Sequence, residues 1–158
     1  MTVRSRDALR CAAPVKSGPT MVRQTMDADA SGPQRAYVAA PIGPDEGLVT
    51  ALKWCFQRDP TLRWEMMGFL VPHPEFVSDC PMLRRLRARG APMATISART
   101  GLEDFTGPLV VYRGNPRMLE IAEDLARTQA VVAVAERNDW LRPWVHSHQA
   151  DHLAGDVL

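Results

Sequence analysis

The chain has 158 residues, 46% of them hydrophobic, and a formal net charge of +1, which suits one globular domain with a sizeable core. So balanced a charge argues against broad attraction to nucleic acid or to an anionic membrane. Cys11, Cys55 and Cys80, odd in number and without a CxxC pair, argue against a disulfide framework or a structural zinc site and point to a reducing, cytoplasmic setting.

Residues 1–34 mix small, polar and charged side chains with prolines at 14, 19 and 33, show no sustained period, and are expected to form a flexible tail. Arg4, Arg6 and Arg10 lie there without the apolar stretch of a secretory signal, and no run in the chain approaches the roughly 18 apolar residues of a membrane span. The domain proper is expected over residues 35–158. Ala36 to Ala40 predicts a first strand and PIGPDEG a turn. Gly47 to Arg58 predicts a helix that buries Leu48, Ala51, Leu52 and Cys55, with Asp45 and Glu46 at its positive end. Trp64 to Val71 predicts a second strand, closed by Pro72, His73 and Pro74. A second helix over Asp79 to Arg89 would turn Met82, Leu83 and Leu86 inward and its arginines outward, stopped by Gly90. Pro92 to Ser97 predicts a weaker third strand. The stretch ARTGLEDFTG after it is too short for an ordinary crossover helix, so that strand is expected at an edge or antiparallel to the fourth.

The clearest signal follows. Leu109 to Tyr112 and Val131 to Val134 are short apolar runs of the kind buried on both faces. Between them Asn115 can cap a helix, Pro116 suits its first position, and Met118, Ile121, Ala122 and Leu125 recur on one face. Strand, helix, strand in so short a span is a β-α-β unit with parallel strands. A last helix is expected over Asp139 to Gln149, with Trp140, Trp144 and Val145 inward, and the closing ADHLAGDVL is expected to add an edge strand or to fray. The fold class is therefore three-layer, Rossmann-like α/β with a mostly parallel sheet of about five strands.

In such a sheet ligands bind beyond the carboxyl ends of the strands. There the order of elements collects Gly43, Asp45, His73, Arg113, Asn115 and Arg137. A nucleotide, nucleoside or sugar phosphate is the ligand expected, with Arg113 as its fixed charge. The turn after the first strand has only Gly43 and Gly47, and Pro41 and Pro44 remove donors that a phosphate loop uses. The opening AYVAAPIG and its acidic turn resemble the first strand and loop of nucleoside deoxyribosyltransferase-like proteins over about eight residues; no counterpart of that family's later acidic motif is found, and no activity is carried over.

Three other chemistries have residues but weaker patterns. Cys80 near a helix start and His73 between two prolines would be the parts of a thiol–imidazole pair, although Asp79 opposes ionisation of the thiol. His148 and His152 would share a face as metal ligands if one helix ran through both. The arginines of MLRRLRARG form a basic stripe without interleaved aromatics, which fits nucleic acid poorly. The leading expectation is a small-ligand module, its enzymatic step and cofactor unspecified. The alternative is a non-catalytic interaction or regulatory protein that meets a protein partner through the arginine helix, the tail or the tryptophans.

Overall fold

The central strands are buried on both faces, which is why their sequences are apolar throughout and do not alternate. The computed structural model describes residues 33–99, 101–125 and 130–158, so the tail expected over residues 1–34 lies outside it except for Pro33 and Gln34. The elements run β1 (Gln34–Val38), α1 (Pro44–Arg58), β2 (Gly68–Val71), α2 (Pro74–Asp79), α3 (Pro81–Ala88), β3 (Met93–Thr95), β4 (Leu109–Tyr112), α4 (Pro116–Asp124), β5 (Ala130–Val134), α5 (Leu141–His148) and β6 (Asp151–Ala154). They form one six-stranded sheet in the order β3-β2-β4-β5-β1-β6, every pairing parallel.

Successive strand residues face opposite ways, so each strand feeds two cores. Ala36, Phe69, Val110 and Val132 pack with Leu48 and Cys55 of α1, Val77 of α2 and Leu83 of α3. Tyr37, Leu70, Val111 and Ala133 pack with Met118 and Ile121 of α4 and Trp144 of α5 on the other side. The result is a three-layer, Rossmann-like α/β domain. Gly47 lets α1 lie close to the sheet, because a Cβ there would come within 2.7 Å of the Val134 Cγ1 methyl. Among the described residues no helix is long and apolar enough to cross a membrane.

The β-α-β unit stands as expected: β4 and β5 are adjacent and parallel, and the Asn115 side chain caps α4 by accepting from Met118 N–H at 3.0 Å. Elsewhere the boundaries differ for local reasons. The second strand is shorter, because Trp64–Met66 forms a single 3-10 turn before it. The second helix starts at Pro81 and not at Asp79, and a separate short helix, α2, precedes it. Pro74 and Pro81 each occupy a first turn, and the residue before a proline is driven out of helical geometry; Cys80 is accordingly extended at φ −89°, ψ 110°. β3 is an edge strand paired parallel to β2, which removes the antiparallel alternative. The sheet has six strands, not about five, since the closing segment pairs with β1 as β6.

Candidate functional site

Because all six strands point the same way, their carboxyl ends share one border. From β2 the chain heads to β3 across the face that carries α2 and α3; from β4 it heads the opposite way to β5 across the face that carries α4. Where neighbouring connections part in this manner, a crevice opens that α/β proteins use for ligands. The turn after β1 lies two strands further along. Gly43 there is the N-cap of α1, with open space around it.

Arg113 follows β4 at the parting point. Its backbone is left-handed at φ 49°, a conformation that costs a residue with a side chain of order 1–3 kcal/mol. One guanidinium nitrogen lies 2.9 Å from Glu136 Oε1, after β5, and Cζ lies 5.1 Å from the centre of the Phe76 ring on α2. Its Nε is buried and, among the described residues, has no hydrogen-bond partner. A buried donor left unmatched costs about 1–3 kcal/mol. Two separate costs therefore fall on one side chain.

Beside it, the Tyr112 hydroxyl donates to Asp45 Oδ1 at 2.6 Å, tying the end of β4 to the first turn of α1. Burial, and then the hydrogen bond to Asp45, hold this phenol well above its ordinary range, so it is a proton donor at any physiological pH. This part of the border thus gathers one cation, two partly exposed carboxylates, a phenol and an aromatic face, drawn from α1, β4, α2 and the loop after β5. It can bind hydroxyls through Asp45 and Glu136 and an acceptor through Arg113.

The other expected residues go elsewhere. Asn115 spends its side-chain oxygen on the α4 cap. Arg137 is exposed and pairs with its neighbour Asp139 at 2.9 Å. Between them Asn138 locks three loops, accepting from Ala40 N–H at 2.9 Å and donating to Ala40 O and Asp156 Oδ2. His73 is exposed, with Nδ1 3.8 Å from Glu75, whereas Cys80 is buried in the core under α2 and α3; no hydrogen bond joins them among the described residues. Cys55 is equally enclosed, and burial pushes its thiol up to about 12, which makes it inert. His148 ends α5 and Gln149 turns left-handed at φ 49°, so His152 falls on β6 and the shared helix face is not formed. His148 Nδ1 meets Trp144 O and His152 Nε2 meets Gly155 O. Among the described residues no three His, Cys, Asp or Glu side chains gather as metal ligands.

Sequence reading missed Tyr112, Phe76 and Glu136. Tyr112 had a signal, because a buried phenol at the end of an apolar strand needs a partner for its hydroxyl. Away from this border, a groove of about 560 Å³ opens between α1 and α3. No protein-family model, no curated protein and no solved structure matches the chain.

Proposed function

We propose that the protein binds a small hydroxyl-bearing ligand, of the nucleoside, nucleotide or sugar-phosphate class, in the crevice between the ends of β2 and β4. The observation that carries this reading is Arg113, which bears backbone strain and an unmatched donor together at the place where the neighbouring connections diverge. Strain of this kind collects at ligand sites. The carboxylates of Asp45 and Glu136 would take the ligand's hydroxyls, the Phe76 face an apolar ring, and the Arg113 guanidinium, swung off Glu136, an electron-rich oxygen. With two carboxylates against one guanidinium, the site favours the least charged members of the class. No reaction is assigned.

A thermal-shift screen with nucleosides, nucleotides and sugar phosphates tests the proposal. A ligand at about 100 times its dissociation constant should stabilise the fold by about 2.7 kcal/mol. That shift should vanish in Arg113→Ala and shrink in Asp45→Ala. A shift retained in both variants would move the site off this border, and no shift with any member of the panel would reject the ligand class.

A further inference from the structure

The groove between α1 and α3 has an apolar floor made by Leu52 and Phe56 of α1, Met82 and Leu86 of α3, and Trp64. Trp64 meets the Phe56 ring edge to face, with centroids 5.1 Å apart, which sets a firm aromatic end wall. Above this floor stand Lys53 on one side and Arg85 and Arg89 on the other. Among the described residues no carboxylate lines the groove. Lys53, Arg85 and Arg89 form no ion pair among the described residues, so the groove's positive charge is not neutralised locally. Arg89 instead holds its guanidinium 5.7 Å from the Trp64 ring centre.

From these observations we infer that the groove docks an acidic amphipathic helix of a partner protein. Its α1 wall runs from Val49 to Gln57, about 12 Å at the helical rise, which matches two turns of an incoming helix. Apolar side chains at i, i+3 or i+4 and i+7 would enter the floor. Carboxylates on both flanks would meet cations on both walls, whereas a ligand with a single charged head would engage one region and leave the rest. Neither residues 1–32 nor α4 matches the chemistry that the groove asks for. Residues 1–32 hold Arg4, Arg6, Arg10, Lys16 and Arg23 against Asp7, Asp27 and Asp29, the same sign as the groove. α4 is acidic, but its apolar face is already buried under the sheet. The groove shares no residue with the crevice at Arg113, so the two proposals stand or fall separately.

The test uses the full chain labelled with methyl-13C methionine and a synthetic helix of about 14 residues, with leucine at the anchor positions and glutamate on both flanks, long enough to present two turns. Saturable binding by fluorescence anisotropy is expected, with the Met82 methyl signal shifted and that of Met118, buried on the opposite face, unmoved. Arg85→Glu with Arg89→Glu should weaken binding by about tenfold or more, as should raising the salt, because these charges are exposed. The exposed positions keep the variant folded, and its far-ultraviolet spectrum checks that. A peptide with lysine in place of glutamate should not bind. Equal binding of the two peptides, no effect of the double variant, or no shift at Met82 would overturn the proposal. So would saturable binding of decanoate with none of the acidic peptide, which would make the groove a site for a single-headed amphiphile.

Discussion

The two borders of the sheet solve the same problem differently. Each places an arginine against a glutamate from another element. At the amino-terminal border Arg35, its side chain only 4% exposed, donates twice to Glu123, at 2.8 and 2.6 Å. The Trp144 indole adds a third bond to the same carboxylate at 2.9 Å, and His148 Nε2 lies 3.7 Å away. That network ties β1, α4 and α5 together with its donors matched. At the carboxyl-terminal border the Arg113–Glu136 pair is partly exposed and single-toothed, on a strained backbone, with one donor unmatched. A staple is finished within the protein; a site is left for something else to finish. Stability should therefore reside at the first border and ligand response at the second.

Breaking the staple should produce the largest effect. Removing one partner of a buried, hydrogen-bonded pair strands the other charge, so Glu123→Ala should lower unfolding free energy by about 3–5 kcal/mol in urea denaturation. A loss below about 1 kcal/mol would equate this pair with an ordinary surface bridge and erase the contrast. Acid should sharpen it next. Burial alone would raise the Glu123 carboxyl, but hydrogen bonds from Arg35 and Trp144, with the nearby charges, bring it below its ordinary value. A carboxyl depressed in the folded state adds stability that is full above its unfolded pKa, about 4.3, and fades as pH falls through the folded value. The stability gap between the parent chain and Glu123→Gln should then be constant near neutrality and shrink below that pH. A gap that persists undiminished in acid would mean that shape, and not charge, makes the staple.

How much of this was legible in the sequence depends on range. The β-α-β unit could be read most fully: β4 had the expected bounds and Asn115 its cap, and Asp45 had its place at the start of α1. Proline rules held in part. Pro116 opens α4 as expected, while Pro81 opens α3 two residues after the expected start at Asp79, and the short helix α2 before it has no counterpart in the sequence reading. What could not be read was pairing across the fold. Arg35 and Glu123 lie 88 positions apart, and nothing local to either marks the other; they meet because β1 enters the sheet beside β5. Strand order decided the site as well. β1 sits between β5 and β6 and not beside β2 or β4, so of the turn after it only Asp45, which meets Tyr112, reaches the divergence, while Arg113, placed by β4, falls on it.

The smallest effect is the most discriminating, because its sign opposes that of the first. If Arg113 is retained for a ligand and not for the fold, then replacing it should cost the fold nothing. Asparagine tolerates the left-handed conformation better than most residues, and it removes the unmatched Nε. It gives up a partly exposed ion pair worth about 0–1 kcal/mol and the guanidinium contacts with the Phe76 and Tyr112 rings, worth about 0.5–1 kcal/mol. Arg113→Asn should thus leave the thermal midpoint unchanged or raise it, by no more than about 1 kcal/mol of stability, yet abolish the shift produced by any ligand found in the screen. A clear loss of stability would show that Arg113 braces β4 against β5 and α2 much as Arg35 braces the opposite border. The strain at φ 49° would then be the by-product of a structural tie, and the crevice would lose the feature that marks it as a site.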